Sequence, residues 1–97
     1  MTVRFQRAAK ADLVDAWIHI AEDSVDRADD YVAHIQQVCT LIAENPEMGI
    51  ERPALGDGIR SFPVDRHVIY YEVERGVMAV LRVWHSARDP QSLMLEP

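Results

Sequence analysis

The sequence predicts an α+β domain, in which an N-terminal strand is followed by an antiparallel helical hairpin packed on a small, mostly antiparallel sheet. The predicted order of elements is β-α-α-β-β-β. Apolar residues recur at three- and four-residue spacing in two successive segments, which predicts two amphipathic helices. Runs rich in Val, Ile, Tyr and Phe precede and follow those segments, which predicts strands. The few residues between the helical segments favour an antiparallel pair.

The first strand is predicted over Thr2 to Gln6, where Val3 and Phe5 alternate with polar residues. The first helix is predicted over Ala8 to Ala21, and its two sides differ in polarity. The apolar side, which we expect to face the core, carries Leu13, Ala16, Trp17, Ile20 and Ala21. The polar side, which we expect to face solvent, carries Asp12, Asp15, His19 and Glu22.

The second helix is predicted to begin after a cap at Asp23 or Ser24 and to end at Asn45, because a residue that precedes a proline is forced out of the helical region. Its first turns carry carboxylates, which the positive end of the helix dipole favours, namely Asp26, Asp29 and Asp30. Its apolar stripe consists of Ala28, Tyr31, Val32, Ile35, Val38, Cys39 and Ile42. Cys39 has no second cysteine to pair with, so we expect a reduced, buried thiol.

The second half of the chain is predicted to be a loop followed by strands. Residues 46–58 contain two prolines and three glycines and form the predicted loop. A short strand that turns into a longer one from Arg66 is predicted over Ile59 to Val73, followed by a hairpin turn at Glu74 to Gly76. Val77 to His85 is the most continuously apolar segment, and a strand that is apolar on both faces belongs in the middle of a sheet.

Length and composition indicate one folded domain over residues 1–97. The hydrophobic share of 48% and the charged share of 27% are ordinary for a globular protein. No apolar run approaches the roughly 18 residues of a membrane span, and the N-terminus shows no signal segment. We therefore expect a cytoplasmic protein.

The net charge of -6 is unevenly distributed along the chain. Residues 1–51 hold ten acidic and four basic residues, whereas residues 52–97 hold six of each. The acidic surplus is therefore expected to form the solvated face of the helical hairpin, with an acidic docking surface as the alternative. Direct binding of nucleic acid is not expected, because such binding normally requires a basic patch.

An arginine interrupts the most apolar strand. Successive side chains of a strand point to opposite faces, so Arg82 lies either on an open face beside Trp84 or on the face that the helices cover. A buried charge requires a partner, and Glu72 on the preceding strand and Asp89 beyond the strand end are the candidates. Arg60 brings a second guanidinium to this region, and together with His85 the two arginines suggest an anion or phosphate site.

The candidates for a functional surface are Arg60, Arg66, Arg82, Trp84, His85, Arg88 and Asp89. His19 and His34 are expected at the surface or rim of their helices. No histidine pair has the spacing of metal ligands with cysteines or carboxylates, so neither a metal nor a cofactor is predicted.

Short motifs follow one another at defined distances along nearly the whole chain. In order, they are Ala11-Asp12-Leu13, Trp17-Ile18, Ala28 with Tyr31, Asn45-Pro46 with Gly49, Arg52-Pro53, Gly58-Ile59-Arg60-Ser61-Phe62, Arg66-His67-Val68-Ile69-Tyr70-Tyr71, Leu81-Arg82-Val83 and His85-Ser86-Ala87-Arg88-Asp89. This succession resembles the ParE toxins of the RelE/ParE superfamily. The fold of that superfamily is similar to the hairpin-on-sheet fold predicted above.

The resemblance implies a toxin of a bacterial type II toxin–antitoxin system, neutralised by a ParD-like antitoxin from the same operon. ParE-like toxins are taken to poison DNA gyrase and not to be nucleases. Their antitoxins wrap an extended helix and strand along the toxin, so the expected contacts are the rim of the hairpin and the exposed sheet edge.

The RelE-type members of the superfamily, which cut messenger RNA on the ribosome, provide the alternative. Arg60 and Arg82 match arginines of that pattern, and His85 is the one candidate for acid–base catalysis. The loop over residues 46–58 contains no lysine and only Arg52, so the gyrase-directed interpretation is preferred. A third possibility is a toxin-like module that retains only antitoxin binding.

Overall fold

The computed structural model describes residues 1–95 and confirms the α+β class, with helices on a mostly antiparallel sheet. Its elements are β1 (Thr2–Phe5), α1 (Arg7–Ala21), α2 (Val25–Glu44), β2 (Ile50–Glu51), β3 (Arg60–Val64), β4 (His67–Glu74), β5 (Val77–His85) and a 3₁₀ turn (Pro90–Ser92). The sheet order is β1-β5-β4-β3-β2, in which β1 runs parallel to β5 and the other neighbours are antiparallel. Neither α1 nor α2, the two α-helices described within residues 1–95, has the length and hydropathy of a membrane span.

Strand β2 was not predicted, since residues 46–58 were expected to form a loop throughout. Its two residues pair with β3, Ile50 with Ser61 and Glu51 with Arg60. A two-residue strand is too short to show an alternating pattern, so only its pairing with β3 identifies it. β2 and β1 form the two edges of the sheet.

The helix boundaries follow the local signals in the sequence. Of the two candidate caps, Ser24 is the one used, and its Oγ accepts a hydrogen bond of 3.2 Å from the backbone N–H of Arg27. Helix α2 ends at Glu44, directly before the Asn45-Pro46 pair. The indole N–H of Trp17 on α1 donates to Asp29 on α2 at 2.8 Å, which links the two helices of the hairpin.

The core lies between the helical hairpin and the sheet. Its fully buried side chains include Ile35 and Ile42 from α2, Ile69 and Tyr71 from β4, and Met78 and Val80 from β5. Cys39 is also fully buried, and burial raises the pKa of its thiol to about 12. The expectation of a reduced, buried thiol agrees with this position, where Cys39 is a free cysteine.

A bulge in β5 decides which residues face the helices. Tyr71 pairs with Val80 and Tyr70 pairs with Arg82, so Leu81 is an extra residue without a partner on β4. Met78 and Val80 belong to the core before the bulge, and Val83 belongs to it afterwards. Strict alternation along the whole strand, which the sequence analysis assumed, is therefore wrong, because the extra residue reverses the two faces.

The turn between β3 and β4 and the turn between β4 and β5 each contain two residues. Glu74 pairs with Val77 across a turn in which Arg75 and Gly76 have φ angles of 54° and 75°. This is the turn geometry that matches the twist of an antiparallel pair, and it confirms the predicted hairpin.

Candidate functional site

The carboxylate of Asp12 is the partner of the arginine on the apolar strand. Asp12 Oδ2 accepts from Arg82 Nε at 2.8 Å, and Asp12 Oδ1 accepts from Arg82 Nη2 at 2.8 Å. The backbone N–H of Val83 donates to Asp12 Oδ2 at 2.9 Å. Asp12 is only 7% exposed, so its assignment to the solvent side of α1 was wrong. Strand β1 pairs with β5 only as far as Val80. Beyond that point the Asp12 carboxylate accepts the hydrogen bond of the Val83 N–H, which a neighbouring strand would otherwise accept.

Neither acidic partner predicted for Arg82 is correct. Glu72 lies opposite Ala79, whereas Arg82 lies opposite Tyr70. Arg82 Nη1 instead donates to the backbone carbonyl of Met94 at 2.9 Å, which ties the C-terminal segment to the sheet. The two-residue turn between β4 and β5 already sets Glu72 opposite Ala79, and the acidic partner Asp12 comes from a helix 70 positions earlier in the chain.

Two guanidinium groups flank one buried indole. The Cζ atom of Arg82 is 4.9 Å from the centre of the Trp84 ring, and that of Arg88 is 4.1 Å from it. Trp84 is 3% exposed, and its Nε1 has no hydrogen-bond partner within residues 1–95. Asp89 caps the 3₁₀ turn by accepting from the backbone N–H of Gln91 at 2.9 Å.

Arg60 stands apart from this cluster. Its Nη1 donates to the carbonyl of Gly49 at 2.7 Å, and its Nη2 is 3.2 Å from the exposed carboxylate of Glu51. Arg60 pairs with Tyr71, whereas Arg82 pairs with Tyr70, and neighbouring residues of a strand point to opposite faces. The structure therefore does not bring Arg60 and Arg82 together as one oxyanion fork.

A cavity of about 840 Å³ lies between the helical hairpin and the ends of β4 and β5. All four histidines of the chain line it, namely His19, His34, His67 and His85, together with Tyr31, Arg66 and Arg88. Of the sequence-predicted candidates, His85, Arg66 and Arg88 thus meet at one place. The cavity was not predicted, because its histidines come from four separate elements and their spacing along the chain follows no motif.

His67 is the most buried of these histidines, with 6% exposure. Its Nδ1 is 2.6 Å from the hydroxyl of Tyr31, and its ring stands edge-on to that of His85 with 5.0 Å between the ring centres. Burial lowers the pKa of His67, His85 lowers it further, and Asp12 acts in the opposite direction. Burial also raises the pKa of Tyr31, although the backbone N–H of Arg66 partly offsets that effect.

The lowered pKa of His67 predicts a loss of stability in mild acid. Above its ordinary pKa of 6.5, His67 is neutral in the folded and the unfolded chain. As the pH falls below 6.5 the unfolded chain takes up a proton that the folded chain does not, so the free energy of unfolding falls by up to about 1.4 kcal/mol per pH unit. Replacing His67 by Gln should flatten this slope in melting curves between pH 7.5 and 5.

The matched control is His19→Gln, which changes an exposed histidine at the rim of the same cavity. This variant should keep the wild-type slope. Equal slopes for the wild type and the His67→Gln variant would contradict the assignment of the acid sensitivity to His67.

Comparisons with known proteins agree with the fold. The family described as "ParE toxin of type II toxin-antitoxin system, parDE" matches residues 3–90. The chain is 35% identical over 91 residues to Toxin ParE1 of Caulobacter vibrioides, which covers 92% of this chain and 93% of that protein. It is 30% identical over 84 residues to Toxin ParE1 of Mycobacterium tuberculosis, with 84% and 86% covered.

A solved structure described as the chromosomal ParDE TA system from P. aeruginosa superimposes with a TM-score of 0.74. The superposition covers 88% of this chain and 95% of that chain, at 20% sequence identity. At this identity the likeness concerns the fold, which is the arrangement of hairpin and sheet described above.

Proposed function

The chain belongs to the ParE family of toxins of type II toxin–antitoxin systems, and from that premise we propose that it inhibits DNA gyrase without being an enzyme. We further propose that it acts in the cytoplasm and that a ParD-like antitoxin neutralises it. The name of the solved ParDE relative supports the antitoxin, and the family supports the target.

The internal bonding of three arginines is the observation that favours inhibition over RNA cleavage. A nuclease needs cationic side chains that are available to the scissile phosphate. Arg82 is held by Asp12, Arg60 by the carbonyl of Gly49, and Arg52 by the hydroxyl of Ser61 at 2.7 Å. Because the guanidinium groups that match the RNA-cleaving pattern already bind acceptors within the chain, the non-enzymatic function is preferred.

The sheet edges and the rim of the hairpin are the proposed contacts of the antitoxin. Strand β2 is an edge of the sheet, and its Ile50 is 61% exposed. On α1, Val14 and Ile18 lie one turn apart and are also exposed. An edge strand together with exposed apolar helix positions suits a partner that adds a strand and lays an amphipathic helix on the toxin.

The target is tested by two assays on the same purified protein. A gyrase supercoiling and cleavage assay should show loss of supercoiling and accumulation of cleaved DNA, and both effects should disappear when the antitoxin is added first. A translation assay run in parallel should leave the messenger RNA intact. Cut messenger with normal gyrase activity would instead favour the RelE-type nuclease, and no effect in either assay would favour a module that only binds antitoxin.

Replacing Arg82 by Ala is expected to lower the melting temperature and the affinity for the antitoxin together with toxicity. The guanidinium holds α1 and the C-terminal segment against β5, so its loss affects the whole fold and not one contact surface. Arg75→Ala, in the exposed turn between β4 and β5, is the matched control and should behave as the wild type. A variant of Arg82 with normal melting temperature and antitoxin affinity but no toxicity would assign Arg82 to target binding.

A further inference from the structure

The cavity between the helical hairpin and the ends of β4 and β5 is lined by the imidazole rings of His67 and His85. We propose that it binds the carboxylate of a small organic acid, held by the Nε2 N–H groups of His67 and His85. This proposal does not rest on gyrase inhibition, and neither result decides the other.

The hydrogen bond of His85 fixes the position of its ring proton. The backbone N–H of Ala87 donates to His85 Nδ1 at 3.1 Å. A backbone N–H can only donate, so Nδ1 uses its lone pair in this bond and the ring proton lies on Nε2. His85 therefore offers a donor, and not an acceptor, on its free nitrogen.

The same tautomer is assigned to His67 from its contact with Tyr31. The Tyr31 hydroxyl keeps its proton, since burial raises its pKa, and it lies 2.6 Å from His67 Nδ1. A phenol hydroxyl is a stronger donor than a neutral imidazole N–H, so Tyr31 donates to Nδ1 and the ring proton of His67 lies on Nε2. No hydrogen bond within residues 1–95 involves Nε2 of His67 or of His85.

The two rings are close enough to serve one ligand group. Their centres are 5.0 Å apart and their planes are nearly perpendicular. Both residues line the cavity, whose volume of about 840 Å³ lies within the range of small-molecule sites. Two N–H donors on neighbouring rings require a ligand with acceptor oxygens, and the two oxygens of a carboxylate meet that requirement.

The charges in the wall favour a single negative charge on the ligand. Three arginines line the cavity, namely Arg27, Arg66 and Arg88, and three carboxylates accompany them, namely Asp15, Asp30 and Asp65. Asp12 also lines the cavity, but Arg82 neutralises it. Because the arginines and carboxylates balance, the wall has no net charge to offset the larger desolvation cost of a dianion such as phosphate, and a monoanionic carboxylate is favoured.

An apolar part of the wall accommodates the carbon skeleton of the acid. Ala16 and Ile20 contribute it from α1, and Val83 contributes it from β5. An acid with a short hydrocarbon chain should therefore bind more tightly than acetate, because burial of each additional methylene contributes about 0.8 kcal/mol, or roughly fourfold in affinity.

The test is a titration of the full chain with butyrate, followed by the imidazole nitrogen resonances in NMR spectra. The free chain should show the proton on Nε2 of both His67 and His85. Butyrate should move both Nε2 resonances saturably, and it should raise the pKa of His67, because a nearby anion favours the protonated ring. Acetate should bind more weakly, and inorganic phosphate at equal ionic strength more weakly still.

Variants separate the binding site from a general salt effect. Replacing His85 by Leu should weaken butyrate binding about tenfold or more, because the N–H donor to a charged group is lost. Arg66→Gln should weaken it several-fold, whereas Arg75→Gln, at the opposite turn of the sheet, should leave it unchanged. Each variant is compared by its melting curve with the wild type, so that a folding defect is recognised separately.

A second probe, the blocked peptide N-acetyl-Ala-Glu-Ala-amide, distinguishes a free organic acid from an acidic side chain of a polypeptide as the ligand. Butyrate that binds at least as tightly as the peptide supports a free acid as the ligand. Much tighter binding of the peptide overturns the free acid and assigns the site to an acidic side chain of a polypeptide. Unchanged Nε2 resonances with both probes, or equal movement with chloride, overturn the site altogether.

Discussion

Replacing Asp12 by Ala is expected to destabilise the protein by about 3–5 kcal/mol, because it removes one half of a buried ion pair. Three donors lose their acceptor at once, namely two guanidinium nitrogens of Arg82 and the backbone N–H of Val83. The Arg82 side chain is only 14% exposed, so solvent cannot fully compensate the loss. In thermal unfolding the melting temperature should fall by more than about 12 °C.

Asp15→Ala is the control for this prediction, because Asp15 lies on the same helix but is exposed. It should change the melting temperature little. Replacing Asp12 by Leu and Arg82 by Met together should recover much of the stability, since an apolar pair of similar volume often replaces a buried ion pair at little cost. A loss below about 1 kcal/mol for Asp12→Ala would mean that the contact is not a principal tie between α1 and β5.

Replacing Gly49 by Ala should cost about 3 kcal/mol or more, through steric overlap and a lost hydrogen bond. A Cβ atom at this position would collide with the hydroxyl of Tyr71 and lie 2.9 Å from the carbonyl oxygen of Ser61. The same Tyr71 hydroxyl accepts from the Gly49 N–H at 2.9 Å and donates to the carbonyl of Pro46 at 2.8 Å. Denaturant unfolding of the purified variant measures the loss.

Gly58→Ala separates steric overlap from backbone strain. Gly58 has a φ of 79°, but a Cβ there would meet no atom within 4 Å. The expected cost is about 1 kcal/mol, from the left-handed conformation alone. If both variants lost the same stability, the tight fit of Gly49 against Tyr71 would not be the cause.

Local signals in the sequence located the elements well. The cap at Ser24 and the proline after Asn45 act on residues within one helical turn, so they determine the ends of α2 wherever the helix packs. The turn at Arg75 and Gly76 is equally local. The two-residue strand β2 and the bulge at Leu81 were missed, because each is defined only by the strand that it pairs with.

The candidate site was predicted only in part. His85, Arg66 and Arg88 were named from the sequence, and the structure places them around one cavity. Arg60 was grouped with them, although its guanidinium binds the carbonyl of Gly49. That contact lies beside β2 and β3, at the edge of the sheet opposite β1. Tyr31 was assigned to an apolar stripe, yet its hydroxyl makes the 2.6 Å contact with His67. An aromatic at a helical core position gives no sign of which polar group its tip will meet.

The sequence by itself determined the type and order of the elements, the buried thiol at Cys39 and the family, because these depend on periodicity and on motifs within short stretches. Only the tertiary structure decided the partner of Arg82 and the convergence of the four histidines. Asp12 and Arg82 are 70 positions apart, and the histidines lie on four separate elements. Such contacts depend on how the helical hairpin packs against a bulged strand. The periodicity of the sequence does not predict that packing.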